Sequence, residues 1–405
     1  ILLRVRIAFL AVIAFVLVVI YRIADIQFVE GDMWRKEAQE IGLDYKTIKA
    51  TRGSIYADGN DLMATSLPFY KIAFDPSLAN DNTFKTGIDS LSLLFFRDRS
   101  PDDYRKRISE ARQSRKRYLV LNSRLINYQD KAMMEKWPIF REGQMIGGVI
   151  FDKEDRRHRP FKALAQRTIG GLNIDGVATV GIEKSYDQFL AGQDGKGLYQ
   201  RIAGGNWMPV NVASDVKPRN GYDVYTTIDI NLQDVAQNSL LRQLEKFGAA
   251  YGTVVLMEVK TGEIKAMSNL TRTESGSYVE DYNYAVQGLN DPGSTFKLAS
   301  MLALLEADKI ELTDSVDTND GTVKFYDRTM EDQSAWKGGY GKLTVQEVFE
   351  KSSNVGISKL VDQYFGKDPQ KYIDIIKSTG LGKPLDFQMI GEGIPYIKNA
   401  DDKSW

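Results

Sequence analysis

The sequence predicts a mixed α/β chain in which one N-terminal transmembrane helix is followed by an α+β domain and then by a second α/β domain. Three observations predict this. Residues Ile7 to Tyr21 are uncharged and almost wholly apolar, and residues 31 to 221 alternate short β-type runs with charged helical stretches. At Asp223-Val224-Tyr225-Thr226-Thr227-Ile228-Asp229 a strand signature runs into a helix-period segment, Ile230 to Phe247.

Composition narrows the function classes. With 405 residues, 43% hydrophobic and 26% charged, the chain can bury a core in two or three folded units. Its 53 Lys plus Arg balance 54 Asp plus Glu, a formal net charge of −1, so there is no basic footprint and no nucleic-acid partner is expected. The absence of cysteine removes thiolate nucleophiles, cysteine metal sites and disulfides. The one histidine, His158, lies in Asp155-Arg156-Arg157-His158-Arg159-Pro160, which reads as a solvated basic turn with a structural role. A reactive serine in this chain therefore needs a base other than histidine. No metal and no cofactor is expected.

The first element, residues 1–28, reads as a cytoplasmic stub and a membrane anchor. Its apolar run is nearer 15 than the usual ~20 residues, but Arg22 can snorkel and lengthen the span. A cleaved signal peptide and a buried helix are the other readings. No small-x-small cleavage site follows, and Arg4 and Arg6 precede the run, so a retained signal anchor with a cytoplasmic N-terminus is expected.

The second element, residues 29–221, holds β-type runs such as Tyr70 to Phe74 and helical stretches such as Asp102 to Lys116. Gly192-Gln193-Asp194-Gly195-Lys196-Gly197 and Gly204-Gly205 lack the Lys-Ser/Thr ending of a phosphate-binding loop and read as turns. The third element, residues 222–405, begins with the helix-period segment closed by Gly248. Strand candidates Gly252 to Met257 and Glu263 to Ser268 follow, joined at Thr261-Gly262. A helix starting near Ser294 is expected to pack on that sheet.

Serine acyl chemistry without histidine commonly uses lysine, in the pattern Ser-x-x-Lys at a helix start, where i and i+3 share one face. Three matches occur. Ser214 with Lys217 is followed by Pro218, and Ser334 with Lys337 runs into Gly338-Gly339, both unfavourable to a helix. Ser294-Thr295-Phe296-Lys297 follows the turn Asp291-Pro292-Gly293 and opens an apolar run, Leu298 to Leu305. That helix is hydrophobic nearly all round and should be buried, which would lower the pKa of Lys297 and make it a base. The helix N-terminus would favour negative charge developing at Ser294. The plainer reading makes Ser294 an N-cap and Lys297 an edge residue.

Ser352-Ser353-Asn354 is the only Ser-x-Asn in the sequence, and it follows a helix whose start, Thr344-Val345-Gln346-Glu347, has the form of a capping box. An ordinary turn is the plainer reading here too. Beside a Ser-Lys pair, the Ser352 hydroxyl could relay a proton to a leaving amine, while Asn354 could hydrogen-bond the substrate backbone and Lys297.

Pro292-Gly293-Ser294-Thr295-Phe296-Lys297 and Lys351-Ser352-Ser353-Asn354-Val355-Gly356 resemble the first two active-site motifs of class B penicillin-binding proteins. Arg52 to Gly59, Leu62 to Ser66, Arg159-Pro160-Phe161, Gly181 to Asp187 and Thr226 to Asp229 resemble that family's pedestal and junction motifs. Residues Ile26 to Asp32 and Tyr282 to Lys297 look most like its septal, FtsI-type members in Bacteroidota. The resemblance implies an elongated pedestal domain of the dimerisation type and a transpeptidase domain related to serine β-lactamases. It implies a single-pass protein of a bacterial inner membrane, with its main domains periplasmic at the division septum.

The activity implied is peptidoglycan D,D-transpeptidation in cell division. Ser294 would be the nucleophile, Lys297 the general base, Ser352 the proton relay, and Asn354 the residue that positions substrate and lysine. The partners implied are peptidoglycan stem peptides, β-lactams, an FtsW-type glycosyltransferase and other divisome membrane proteins.

The family's third motif, Lys-Ser/Thr-Gly, does not occur between Asn354 and Trp405, and the two upstream triplets, Lys85-Thr86-Gly87 and Lys260-Thr261-Gly262, precede Ser294. A chain truncated at its C-terminus is expected in preference to a degenerate active site, and the missing motif leaves the activity of that form open. Three rival functions remain: a silent scaffold or β-lactam sensor, a β-lactamase, and an elongation-type relative.

Overall fold

The computed structural model describes residues 2–31, 33–34, 42–94, 100–121, 124–202, 206–210 and 215–402. It divides into two compact units. The first holds residues 1–162, 171–179 and 186–230, and the second holds 163–170, 180–185 and 231–405. The strand around Val224 belongs to the first unit, and two short segments ahead of it belong to the second.

The first unit begins with helix α1, Leu2–Ala24, of 23 residues. At 1.5 Å per residue it is about 35 Å long, enough for a hydrocarbon core of about 30 Å. The helical span is thus longer than the uncharged run alone suggests, because it continues through Arg4, Arg6 and Arg22. The window Val12–Val29 has a mean hydropathy of 2.2 and none of it is buried. Arg22 pairs with Asp25 and Glu30, so its charge is met just past the helix end.

Strand β1, Leu43–Ile48, lies in a three-stranded antiparallel sheet with β7, Gly195–Ile202, and β8, Asn206–Pro209. The second sheet is built on β3, Leu62–Phe74, which pairs with β2, Ile55–Tyr56, β4, Leu119–Val120, β5, Ile126–Asn127, and β6, Val149–His158. Strand β9, Val224–Tyr225, adds in parallel beside β2. Helices α2, Asp81–Leu94, and α3, Pro101–Gln113, pack against the C-terminal end of β3. Ser100 caps α3 by accepting from the Asp103 N–H, with Pro101 in the first turn, which places the start of the expected helical stretch.

The core of this unit gathers Ile72 and Phe74 of β3 with Leu91, Tyr104, Ile108 and Ile139. Phe74 is fully buried. Phe74→Ala should therefore cost about 3–5 kcal/mol in urea denaturation, and a loss below about 1 kcal/mol would contradict this packing. Residues from several of the junction motifs meet in the same unit: Arg52 Nη1 donates to Asp187 at 2.5 Å, Ser54 Oγ lies 2.9 Å from Thr65 Oγ1, and Thr226 Oγ1 donates to the Tyr56 carbonyl at 3.0 Å.

Two expectations are corrected here. Residues 155–158 are not a turn but the end of β6, in register with β3 from Thr65↔His158 to Phe74↔Val149. The long partner strand satisfies their backbone groups; Arg156 and His158 face solvent, while half-buried Asp155 takes the Thr51 hydroxyl at 2.8 Å and Arg157 donates to the Gly53 carbonyl at 2.6 Å, so their polarity does not decide the conformation. Gly195 to Gly197 are likewise strand, paired with Ile48 to Lys46. A Cβ on Gly195 would lie 2.2 Å from the Val216 carbonyl oxygen, so glycine here serves a close backbone approach. Gly204 and Gly205 lie outside the described residues.

The second unit opens with α4, Ile230–Phe247, ended by Gly248 at φ +61°. It packs on the antiparallel sheet β10, Tyr251–Met257, β11, Ile264–Arg272, and β12, Tyr278–Val279. Gln233 of α4 is fully buried, and its amide is satisfied both ways by Met267, accepting from the N–H at 2.8 Å and donating to the carbonyl at 2.9 Å. Glu280 ties residue 167 to the sheet, taking the N–H groups of Arg167 and Asn269 and the Ser268 hydroxyl; burial pushes its carboxyl up from the ordinary range.

Beyond the sheet come α5, Phe296–Glu306; β13, Ser315–Asp317; a hairpin of β14, Thr322–Phe325, and β15, Arg328–Glu331; and β16, Lys342–Thr344. Helices α6, Val345–Glu350, α7, Asn354–Phe365, and α8, Pro369–Ser378, complete the unit. The full capping box at Thr344 and Glu347 starts α6.

Helix α5 is not sheathed by the β10–β12 sheet. Met301 and Leu304 join Val345, Val348, Leu360 and Phe365 in one cluster, and Ala299 and Ala303 meet Ile376 of α8. Leu298 and Leu302 remain 55% and 47% exposed. A helix apolar all round is therefore buried here on one side only, the side that α6, α7 and α8 cover.

Candidate active site

Ser294 sits in a single 3₁₀ turn, Gly293–Thr295, that leads into α5. Gly293 has φ +57° and Thr295 Oγ1 donates to the Pro292 carbonyl at 2.6 Å, so the turn is fixed before the helix begins. No side chain caps this helix start, which leaves the exposed Ser294 hydroxyl free of the N-cap role. One turn on, Lys297 Nζ donates to Ser294 Oγ at 3.0 Å.

The same amine donates to Ser352 Oγ at 2.9 Å and to the Ser352 carbonyl at 2.7 Å. Ser352 follows α6 and has φ +53°, a left-handed conformation that costs a residue with a Cβ roughly 1–2 kcal/mol. That conformation turns both of its oxygens to the lysine. Ser353 then caps α7, its Oγ accepting from the Gly356 N–H at 2.9 Å. Gly356 fits because a Cβ there would lie 2.7 Å from the Val348 methyls.

The Lys297 amine is half-buried, and burial is the larger influence on it, holding its pKa below the ordinary lysine range; the Asp332 carboxylate pulls the other way. An ammonium has three protons, and three acceptors surround this one. A neutral amine could keep the two Ser352 acceptors and take the Ser294 proton on its lone pair. The arrangement can therefore move a proton from Ser294 to Lys297 and pass one onward through Ser352.

Asn354 departs from expectation. Its Nδ2 donates to the Glu331 carbonyl at 2.7 Å rather than meeting Lys297, whose three donors already have partners. The hairpin strand β15 competes for the amide because it runs beside the start of α7. Asn354 nevertheless lines a cleft of about 950 Å³ together with Lys297, Ser300, Tyr326, Arg328 and Tyr372. Ser300 Oγ and Tyr372 OH lie 2.7 Å apart on its floor.

The Ser334-x-x-Lys337 match does not form such a pair. Ser334 and Lys337 lie in a 3₁₀ turn ended by Gly338 at φ +90°, with Lys337 over the Trp336 ring. Ser214 lies outside the described residues. Lys85-Thr86-Gly87 is inside α2, and Lys260-Thr261-Gly262 is the turn between β10 and β11.

Sequence reasoning passes over Asp332, whose carboxylate takes the Ser353 hydroxyl at 2.7 Å and the Val355 N–H at 2.9 Å. No motif surrounds it. The available signal was the β14–β15 hairpin, two short runs around Tyr326-Asp327 that deliver Asp332 to the start of α7.

Two family descriptions match the chain in order. The Penicillin-binding Protein dimerisation domain matches residues 47–226, and the Penicillin binding protein transpeptidase domain matches residues 252–403. The chain is 27% identical over 362 residues to the probable peptidoglycan D,D-transpeptidase PenA of Neisseria meningitidis, covering 87% of this chain and 58% of that protein. It is 26% identical over 385 residues to the peptidoglycan D,D-transpeptidase FtsI of Escherichia coli, covering 92% and 60%. The chain thus spans about three fifths of the length of these relatives. The crystal structure of penicillin-binding protein 2X from Streptococcus thermophilus shares the fold, with a TM-score of 0.66 at 21% identity over 88% of this chain and 55% of that one. With a dimerisation domain ahead of a transpeptidase domain across most of its length, and relatives of the same build, this chain belongs to the class B penicillin-binding protein family.

Proposed function

We propose that the protein is a peptidoglycan D,D-transpeptidase that cross-links stem peptides through a Ser294 acyl-enzyme. The observation that carries this reading is the Lys297 amine, 3.0 Å from Ser294 Oγ and 2.9 Å from Ser352 Oγ. Ser294 attacks the D-Ala–D-Ala carbonyl as Lys297 takes its proton, and Ser352 passes a proton to the leaving D-alanine amine. An amine of a neighbouring stem then attacks the ester and restores the serine, so atoms and protons balance without a metal or cofactor. Asn354, on the cleft wall, binds the substrate backbone. β-Lactams acylate the same serine because their strained amide presents the same carbonyl.

The apolar helix α1 supports a single-pass anchor in the inner membrane, with the N-terminus cytoplasmic and the two folded units periplasmic. The resemblance of Ile26 to Asp32 and Tyr282 to Lys297 to septal members of the family supports a role at the division septum. Partnership with an FtsW-type glycosyltransferase and other divisome membrane proteins belongs to the same reading.

Turnover of a D-Ala–D-Ala thioester by the natural full chain, with a D-amino acid as acceptor, tests it. Transfer to the acceptor in excess of hydrolysis is expected. Stable acylation without transfer would indicate a sensor or scaffold, and rapid hydrolysis of bound penicillin a β-lactamase. Localisation to the side wall would move the protein to the elongation branch.

A further inference from the structure

We infer that Asp332 is a positioning residue for this reaction: by clamping Ser353 and the first turn of α7, its carboxylate holds Ser352 with both oxygens on the Lys297 amine. The inference rests on the acyl-transfer reading and names a residue outside the active-site motifs.

Asp332 is 5% exposed and lies just past β15. It is anchored by its own backbone, whose N–H donates to the Gly321 carbonyl at 2.8 Å. One carboxylate oxygen takes the Val355 N–H at 2.9 Å and the other takes the Ser353 hydroxyl at 2.7 Å. These are groups at the N-terminus of α7, where free N–H groups favour a negative charge. Ser353 in turn accepts from Gly356, so carboxylate, hydroxyl and helix start form one chain of hydrogen bonds.

The residue immediately before this clamp is Ser352, in its left-handed conformation. Such a conformation persists where the surroundings over-determine it. Here the Ser352 N–H is held by the Phe349 carbonyl and the Ser353 N–H by the Val348 carbonyl, while Asp332 holds the far side. Releasing Asp332 would free Ser353 from that far side, and with it the orientation of the oxygens that face Lys297.

The clamp also carries charge. The Asp332 charge opposes the effect of burial on Lys297. Several other charged groups of the packed elements are engaged elsewhere or line the cleft. On α6, Glu347 closes the capping box, Glu350 takes the Gln346 amide, and Lys351 lies over the Tyr340 ring. On α7, Lys359 donates to the Asp317 carbonyl and Asp362 lines the cleft with Asp327 and Arg328 of the hairpin. On α8, Asp374 takes the Gln370 amide and Lys377 reaches Asn399.

Two variants separate clamp from charge. Asp332→Asn can keep the shape, its oxygen on Val355 N–H and its NH₂ on Ser353 Oγ, while losing the charge. Asp332→Ala loses both. In the natural full chain, two quantities are to be followed against pH: competitive acetylation of Lys297, read by mass spectrometry, and the rate and binding constants for acylation of Ser294 by penicillin. For Asp332→Asn, the Lys297 titration and the acid limb of acylation should both move to lower pH. For Asp332→Ala, the acylation step should fall about 10–100-fold with little change in penicillin binding, and Asp332→Asn should restore most of it.

A wild-type acylation step in Asp332→Ala, or an Asp332→Asn variant that acylates no faster than Asp332→Ala, overturns the inference while leaving Ser294 chemistry intact. Failure of the wild-type protein to acylate at Ser294 overturns the functional reading, and the positioning role with it.

Discussion

Lys297→Met should lower the rate constant for penicillin acylation of the natural full chain by about 10²–10⁴-fold, the usual contribution of a placed general base. Methionine keeps most of the lysine stem but removes the amine, so Ser294 loses its hydrogen-bond partner and both Ser352 oxygens lose their donor. The pH dependence should change as well. On the proposed mechanism the reactive form is the neutral amine, and burial places its pKa below the ordinary lysine range. Acylation should therefore rise with pH and level off before that range is reached. The methionine variant should lose this limb, and an unchanged limb would assign it to another group.

Ser294→Ala should abolish covalent labelling by fluorescent penicillin altogether, while thermal unfolding stays within the small range of surface substitutions, about ±0.5 kcal/mol. The hydroxyl is exposed and caps nothing, so the fold does not depend on it. Retained thermal stability makes loss of label a statement about chemistry. Persistent label would send the nucleophile to another serine.

Local signals carried much of this structure. Gly248 closes α4 where a left-handed residue is needed, and the Thr344–Glu347 capping box opens α6, because both depend on one or two side chains and the backbone beside them. The pairing of Ser294 with Lys297 is legible for the same reason, since i and i+3 meet at the start of a helix. What could not be read depends on partners distant in sequence. The end of β6 is strand because β3 offers a thirteen-residue partner, and Gly195 is strand because Val216 passes close to it. Helix α5 looks fully buried from its composition, yet Leu298 and Leu302 show that composition does not say which neighbours arrive.

The site divides along the same line. Ser352 was readable from Ser-x-Asn, but its left-handed turn and its double contact with Lys297 are tertiary facts. Asn354 was expected on the lysine and is held by Glu331, and Asp332 carries no motif at all, because the hairpin that supplies both partners is joined to α7 only in space.

Peptide mapping of the penicillin adduct by mass spectrometry is the most direct test of the central claim, that a lysine amine activates the serine one turn before it. The account predicts a single adduct, on Ser294, forming faster as pH rises through the titration of Lys297. An adduct on any other residue, or one on Ser294 whose rate ignores that titration, would contradict it.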